Sequence, residues 1–75
     1  MLNGIRSRAR DQSVAVGQRY RKSDAPLIVW EVAQTFNGSD EVPYAALICM
    51  HDRSHRKTVA VDALRRGQQY QLLAS

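Results

Sequence analysis

The chain is predicted to be all-β: a small five-stranded barrel with one short helical turn before the last strand and a flexible N-terminal arm. Three observations carry that expectation. Apolar and polar residues alternate in several short runs, and clusters of turn-forming residues separate the runs. From Val59 to Leu73 the chain reads as a strand, a turn ending at Gly67, and a closing strand. The 75 residues permit a single modest core, because so short a chain buries roughly 60% of the surface its unfolded form exposes. With 44% hydrophobic and 24% charged residues, the composition is that of a folded domain rather than of a disordered segment.

Residues 1–13, MLNGIRSRARDQS, carry Leu2 and Ile5 as their only large aliphatic side chains and have little to bury. They are read as a flexible, Arg-rich arm, and residues 14–75 as the barrel. The first strand begins near Val14 or Val16, where Val16, Gln18 and Tyr20 alternate, and ends at Lys22. Ser23 to Pro26 supply turn formers and a proline without an amide donor. Leu27 to Phe36 is the strongest strand. Ile28, Trp30, Val32 and Phe36 share its inward face at period two, interrupted by Gln34.

Asn37-Gly38-Ser39-Asp40 is a hairpin signal that pairs this strand antiparallel with the next, Pro43 to His51. That third strand is apolar on both sides, as suits a central position. After the polar turn Asp52 to His55, residues Lys57 to Val61 return against it, with Val59 and Val61 inward. Asp62 is expected to cap the helical turn through its side chain, and Gly67 to end it in the left-handed conformation. Tyr70 and Leu72 form the inward side of strand five. A longer helix from Ala60 to Leu73 is the alternative, but Gly67 and the Gln-Tyr-Gln-Leu alternation oppose it.

Gly17 and Tyr20, Trp30-Glu31-Val32, Lys57-Thr58-Val59-Ala60 and Leu64, in this element order, resemble the marks of SH3-like and Tudor-like barrels in small bacterial proteins. The resemblance spans residues 16–73, rests on core and turn positions, and implies a fold without a function. An OB-fold is the nearest rival, but it usually carries a helix between strands three and four, where this chain has a short polar turn. Proline-rich peptide binding is not expected, since the aromatic first strand, acidic loop and paired tryptophan of peptide-binding SH3 domains are absent. A Tudor-like aromatic cage would need three or four converging rings. Tyr20, Trp30, Phe36, Tyr44 and Tyr70 are the chain's aromatics, and the core is expected to take most of them.

The net charge is +4. Three arginines against Asp11 lie in the first eleven residues, and eight basic against six acidic side chains in the remainder, so the body is only mildly basic. Its densest basic cluster is Arg53, Arg56 and Lys57 with His55, followed by Arg65 and Arg66 on the helical turn; Arg19, Arg21 and Lys22 of strand one add to it. Arg53, Arg56, Lys57, Arg65 and Arg66 are the candidate nucleic-acid-binding residues, because such a face makes salt-dependent phosphate contacts without base specificity. The competing view is that these charges blunt exposed barrel edges.

Cys49, His51 and His55 have a spacing that brings two ligand types together, but a zinc site needs a fourth ligand that Asp52 would supply only awkwardly. No metal and no cofactor is therefore expected. The apolar neighbours of Cys49 disfavour a reactive thiolate, and the chain shows no carboxylate pair, so no catalytic residue and no small-molecule substrate are identified. The lone cysteine and the lack of a signal-like or membrane-spanning run point to a cytoplasmic protein without a membrane partner. The expectation is a non-enzymatic binding module whose partner is a nucleic acid or ribonucleoprotein. The alternative is a protein-interaction or self-association module, a homodimer for example, that uses the exposed edge of strand one or five.

Overall fold

The computed structural model describes residues 14–74. The arm expected at residues 1–13 lies outside the described residues. Among the described residues five strands form one antiparallel sheet: β1 (Arg19–Lys22), β2 (Ala25–Asn37), β3 (Pro43–Cys49), β4 (Arg56–Ala60) and β5 (Tyr70–Ala74). The one helix among the described residues, α1 (Val61–Arg65), is short and precedes β5. The fold is thus the small all-β domain predicted, with its helical turn in the predicted place.

The strand order is β4-β3-β2-β1-β5. The apolar run of β3 occupies an interior position, where Ala45, Leu47, Ile48 and Cys49 are all buried. One expectation about edges is corrected. Strand β1 is no edge, because it pairs with both β2 and β5; among the described residues the sheet ends at β4 and β5. The first strand is also shorter than expected. Residues 15–18 form a turn, although Gly17 N donates to Val32 O at 2.9 Å and Val32 N to Gln18 O at 2.9 Å, which continues the pairing with β2.

Tyr20, Val32, Ala45, Leu47, Leu64 and Tyr70 form the core, with Val14, Trp30, Val59 and Val61 packed around them. The faces follow from the register, since residues directly paired across antiparallel strands lie on one side of the sheet. Tyr20 pairs with Trp30, Trp30 with Cys49, Val32 with Leu47, Leu47 with Lys57, and Ala45 with Val59. These residues share the inner face. Helix α1 packs against β3, β4 and β5 and buries Leu64, so it spans the interval between the two edge strands. The indole Nε1 of Trp30 is buried without a hydrogen-bond partner among the described residues.

Strand β2 departs from its expected pattern midway. Its register against β3 slips between Val32 and Gln34, so Ala33 is an extra residue, a β-bulge. One inserted residue exchanges the two faces for everything that follows. Gln34 consequently pairs with Ala46 and Phe36 with Tyr44 on the outer face, while Thr35 pairs with Ala45 on the inner. Phe36, expected in the core, is 38% exposed.

Three further expectations change. Leu72 has the inward parity of Tyr70 but stands 48% exposed at the edge strand, where no neighbouring strand among the described residues covers it. Asp62 makes no side-chain cap; Ala60 occupies the capping position, and Asp62, one residue inside the helix, pairs with Arg66 at 2.8 Å. The Asn37-Gly38 hairpin closes later than its sequence suggests. Glu41 N donates to Gly38 O at 2.8 Å, and Glu41, not Gly38, takes the left-handed conformation, with φ 64°. Gly67 does adopt the left-handed conformation expected after α1, with φ 74°.

Candidate functional site

The five candidate basic residues do not form one face. Lys57 pairs with Leu47 and turns inward, with its ammonium 4.2 Å from the centroid of the Trp30 ring and 5.0 Å from that of Tyr70. That geometry is a double cation–π contact, and the aliphatic stem of Lys57 lies over the inner face while the ammonium faces two rings. Arg65 borders a hollow with Tyr20, Leu64, Tyr70 and Leu72, on the helix side of the sheet, and Arg66 is engaged by Asp62. Arg56 points the other way, since it pairs with the outward Ile48.

The register identifies what stands beside Arg56. Arg19 pairs with Glu31, Glu31 with Ile48, and Ile48 with Arg56, so these four residues form one row across β1, β2, β3 and β4 on the outer face. In the adjacent row, Arg21 pairs with Val29 on one side and Gln71 on the other. Arg19, Arg21 and Arg56 are all exposed, and Glu31 is the only carboxylate of the two rows among the described residues. Its Oε2 lies 3.7 Å from Arg19 Nε. Arg21 Nε donates to Gln71 Oε1 at 3.1 Å, which orients the guanidinium and leaves its terminal nitrogens available. Arg53 lies beyond the end of β3, in the turn leading to β4, with Nη1 4.0 Å from Met50 Sδ.

The alternation Arg19-Tyr20-Arg21 held the signal for this face. With Tyr20 in the core, both arginines must project outward. The same parity condemns Lys57, which lies two residues from the inward Val59. Lys22 shares the parity of Tyr20 and stands 3.4 Å from Asp24 Oδ1.

Further along the same outer face lies an aromatic pair. Phe36 and Tyr44 stack with ring centroids 5.9 Å apart and planes inclined by 30°. The Tyr44 hydroxyl donates to Asp40 Oδ2 at 3.0 Å, and Asp40 Oδ1 accepts from Val42 N at 3.0 Å. The Val42 amide, followed by the Tyr44 hydroxyl, holds the Asp40 carboxyl below its ordinary acidity range, and the same bond raises the phenol of Tyr44. Gly38 is needed for this placement: a Cβ there would stand 2.5 Å from Tyr44 Cε2.

The chain matches no family model, no curated protein and no solved structure.

The cysteine and histidines considered as ligands are occupied or separated. Cys49 is buried on the inner face, His51 Nε2 lies 2.8 Å from Leu27 O, and His55 Nε2 lies 3.9 Å from Asp52 Oδ2. The Ser54 hydroxyl and amide both donate to Asp52 Oδ1, which lowers the acidity range of that carboxyl and ties it into the turn. Among the described residues no three His, Cys, Asp or Glu side chains gather as a metal site would require. No helix among them is long and apolar enough to cross a membrane.

Proposed function

We propose that this chain is a non-enzymatic binding module that holds the phosphates of a nucleic acid or ribonucleoprotein on the outer face of its sheet. The observation that carries this reading is the alignment of Arg19, Arg21 and Arg56 in two adjacent rows with a single carboxylate among them. Arg19 and Arg56 are three strands apart, about 14 Å at ~4.8 Å per strand, so they contact separate phosphates rather than one. Arginine suits the task because its planar fork makes paired hydrogen bonds to phosphate oxygens. Arg53 stands at the border of the face; Lys57, Arg65 and Arg66 are left out of it.

The test is an amide-shift titration with a short mixed-sequence oligonucleotide at low and physiological salt. Shifts at Arg19, Arg21 and Arg56 that fade with salt are expected. Each contact removed, as in Arg19→Ala or Arg56→Ala, lowers the slope of log affinity against log salt by ~0.7 to 0.9, while Arg65→Ala leaves it unchanged. No shifts at low salt would sink the reading.

The exposed edge of β5 favours a second reading, self-association. Leu72 is 48% and Leu73 42% exposed on a strand whose outer side has no partner strand among the described residues. Native mass measured on the same sample decides it, since an apolar edge contact survives the salt that dissolves a phosphate contact.

A further inference from the structure

We infer that the outer face is built for single strands: the arginine rows hold the backbone while a base stacks on the exposed ring of Phe36. This inference rests on the phosphate reading above and names the class of nucleic acid. Without Ala33 the Phe36 ring would point to the core; with it, a large aromatic is delivered to the side of the sheet that bears Arg19, Arg21 and Arg56. An exposed phenylalanine on a small domain forgoes burial that the core has every use for, and a bulge recurs where a side chain must be re-aimed.

The ring is held in place. Tyr44 backs it, and Tyr44 is in turn fixed by Asp40 and by the absence of a side chain at Gly38. A stacking surface that does not reorganise on binding loses little entropy when a base settles on it. The Asp40 carboxylate, which accepts from the Tyr44 hydroxyl and the Val42 amide, anchors the ring that backs Phe36.

The spacing also fits. Tyr44 and Ile48 mark the aromatic and arginine rows on β3, four residues apart. At ~3.3 Å per residue the rows are about 13 Å apart. That is the length of about four stacked nucleotides at ~3.4 Å per charge along one strand. Gln34, Ala46 and Thr58 form the row between, small or uncharged, so nothing repels a backbone crossing it. In a duplex the bases are stacked on one another and offer no free face to Phe36, whereas each base of a single strand does.

The experiment measures affinity of the full chain for oligo-dT and oligo-U, for a duplex of equal length and for an abasic strand, with Phe36→Ala and Phe36→Leu beside the parent. Amide spectra confirm that each variant is folded; Phe36→Leu keeps the bulk and loses only the π face. Both single strands are expected to bind more tightly than the duplex and the abasic strand. Both variants should weaken oligo-dT and oligo-U binding by roughly 5- to 150-fold, the range for one lost base stack, with the salt slope unchanged. Single-strand affinity that survives both substitutions, or equal affinity for the duplex, overturns the inference while leaving the arginine contacts standing. Binding to none of the four probes at low salt overturns the phosphate reading itself.

Discussion

Trp30 and Phe36 sit six residues apart in the same strand, an even spacing that in an unbroken ladder would turn both rings the same way. They face opposite sides. Trp30, ahead of the Ala33 bulge, packs on Tyr20 and the core; Phe36, behind it, is paired with Tyr44 on the outside. The first half of β2 therefore builds the domain, and the second half builds a surface. The contrast shows how one inserted alanine converts a core position into a surface position without any change in side-chain chemistry.

The sharpest way to break that contrast is to truncate both rings. Trp30→Ala should lower stability by roughly 3 kcal/mol, near the lower end for a large aromatic because Trp30 is only half-buried and its Nε1 is unpartnered. In a domain this small such a loss approaches the whole stability. Phe36→Ala should cost about 1 kcal/mol or less, the value of one aromatic pair at the surface. Urea unfolding of the two variants measures both. Equal losses would mean that the bulge does not separate the halves in solution.

The contrast also explains what could be read from the chain beforehand. The strands were legible because alternation survives along most of them, and β3 because its apolar residues serve two faces. Alanine at the bulge carries no signature of its own. Gln34, which broke the inward pattern of Trp30 and Val32, was the visible trace of the slip, yet a single polar residue looks the same when it is an interruption as when it begins a new phase. The proposed basic face was half legible for a related reason. Sequence proximity grouped Arg56 with Lys57, whereas strand parity sends neighbours to opposite faces and joins Arg56 to Arg19, which lies 37 positions away in the chain.

Lys57 offers a smaller effect that sharpens the division between the faces. Lys57→Met keeps an unbranched aliphatic side chain over the inner face but removes the charge from the Trp30 and Tyr70 rings. The expected loss is about 0.5 to 1 kcal/mol, measurable as a shift in the urea midpoint. Oligonucleotide affinity should stay at the parental level. A fall in affinity as large as that of Arg56→Ala would place the ammonium on the outer face and return Lys57 to the binding surface.

The smallest effect lies at the closing helix, where the sequence offered Asp62 as a capping residue and the structure gives it a different task. Asp62 Oδ2 accepts from Arg66 Nη2 one helical turn on, and both side chains are more than half exposed, at 59% and 64%. An exposed pair at this spacing contributes about 0.3 to 0.5 kcal/mol, whereas a lost side-chain cap costs about 1 kcal/mol. Asp62→Ala and Arg66→Ala should therefore each lower stability by only a few tenths of a kcal/mol, and the double variant by little more than either, because they remove the same interaction. If Asp62→Ala alone cost near 1 kcal/mol with Arg66→Ala neutral, Asp62 would be capping the helix after all. The modest value fits the way the helix is held: buried Leu64 fastens it between β3, β4 and β5, so the junction between the edge strands depends on packing, and surface charge contributes little.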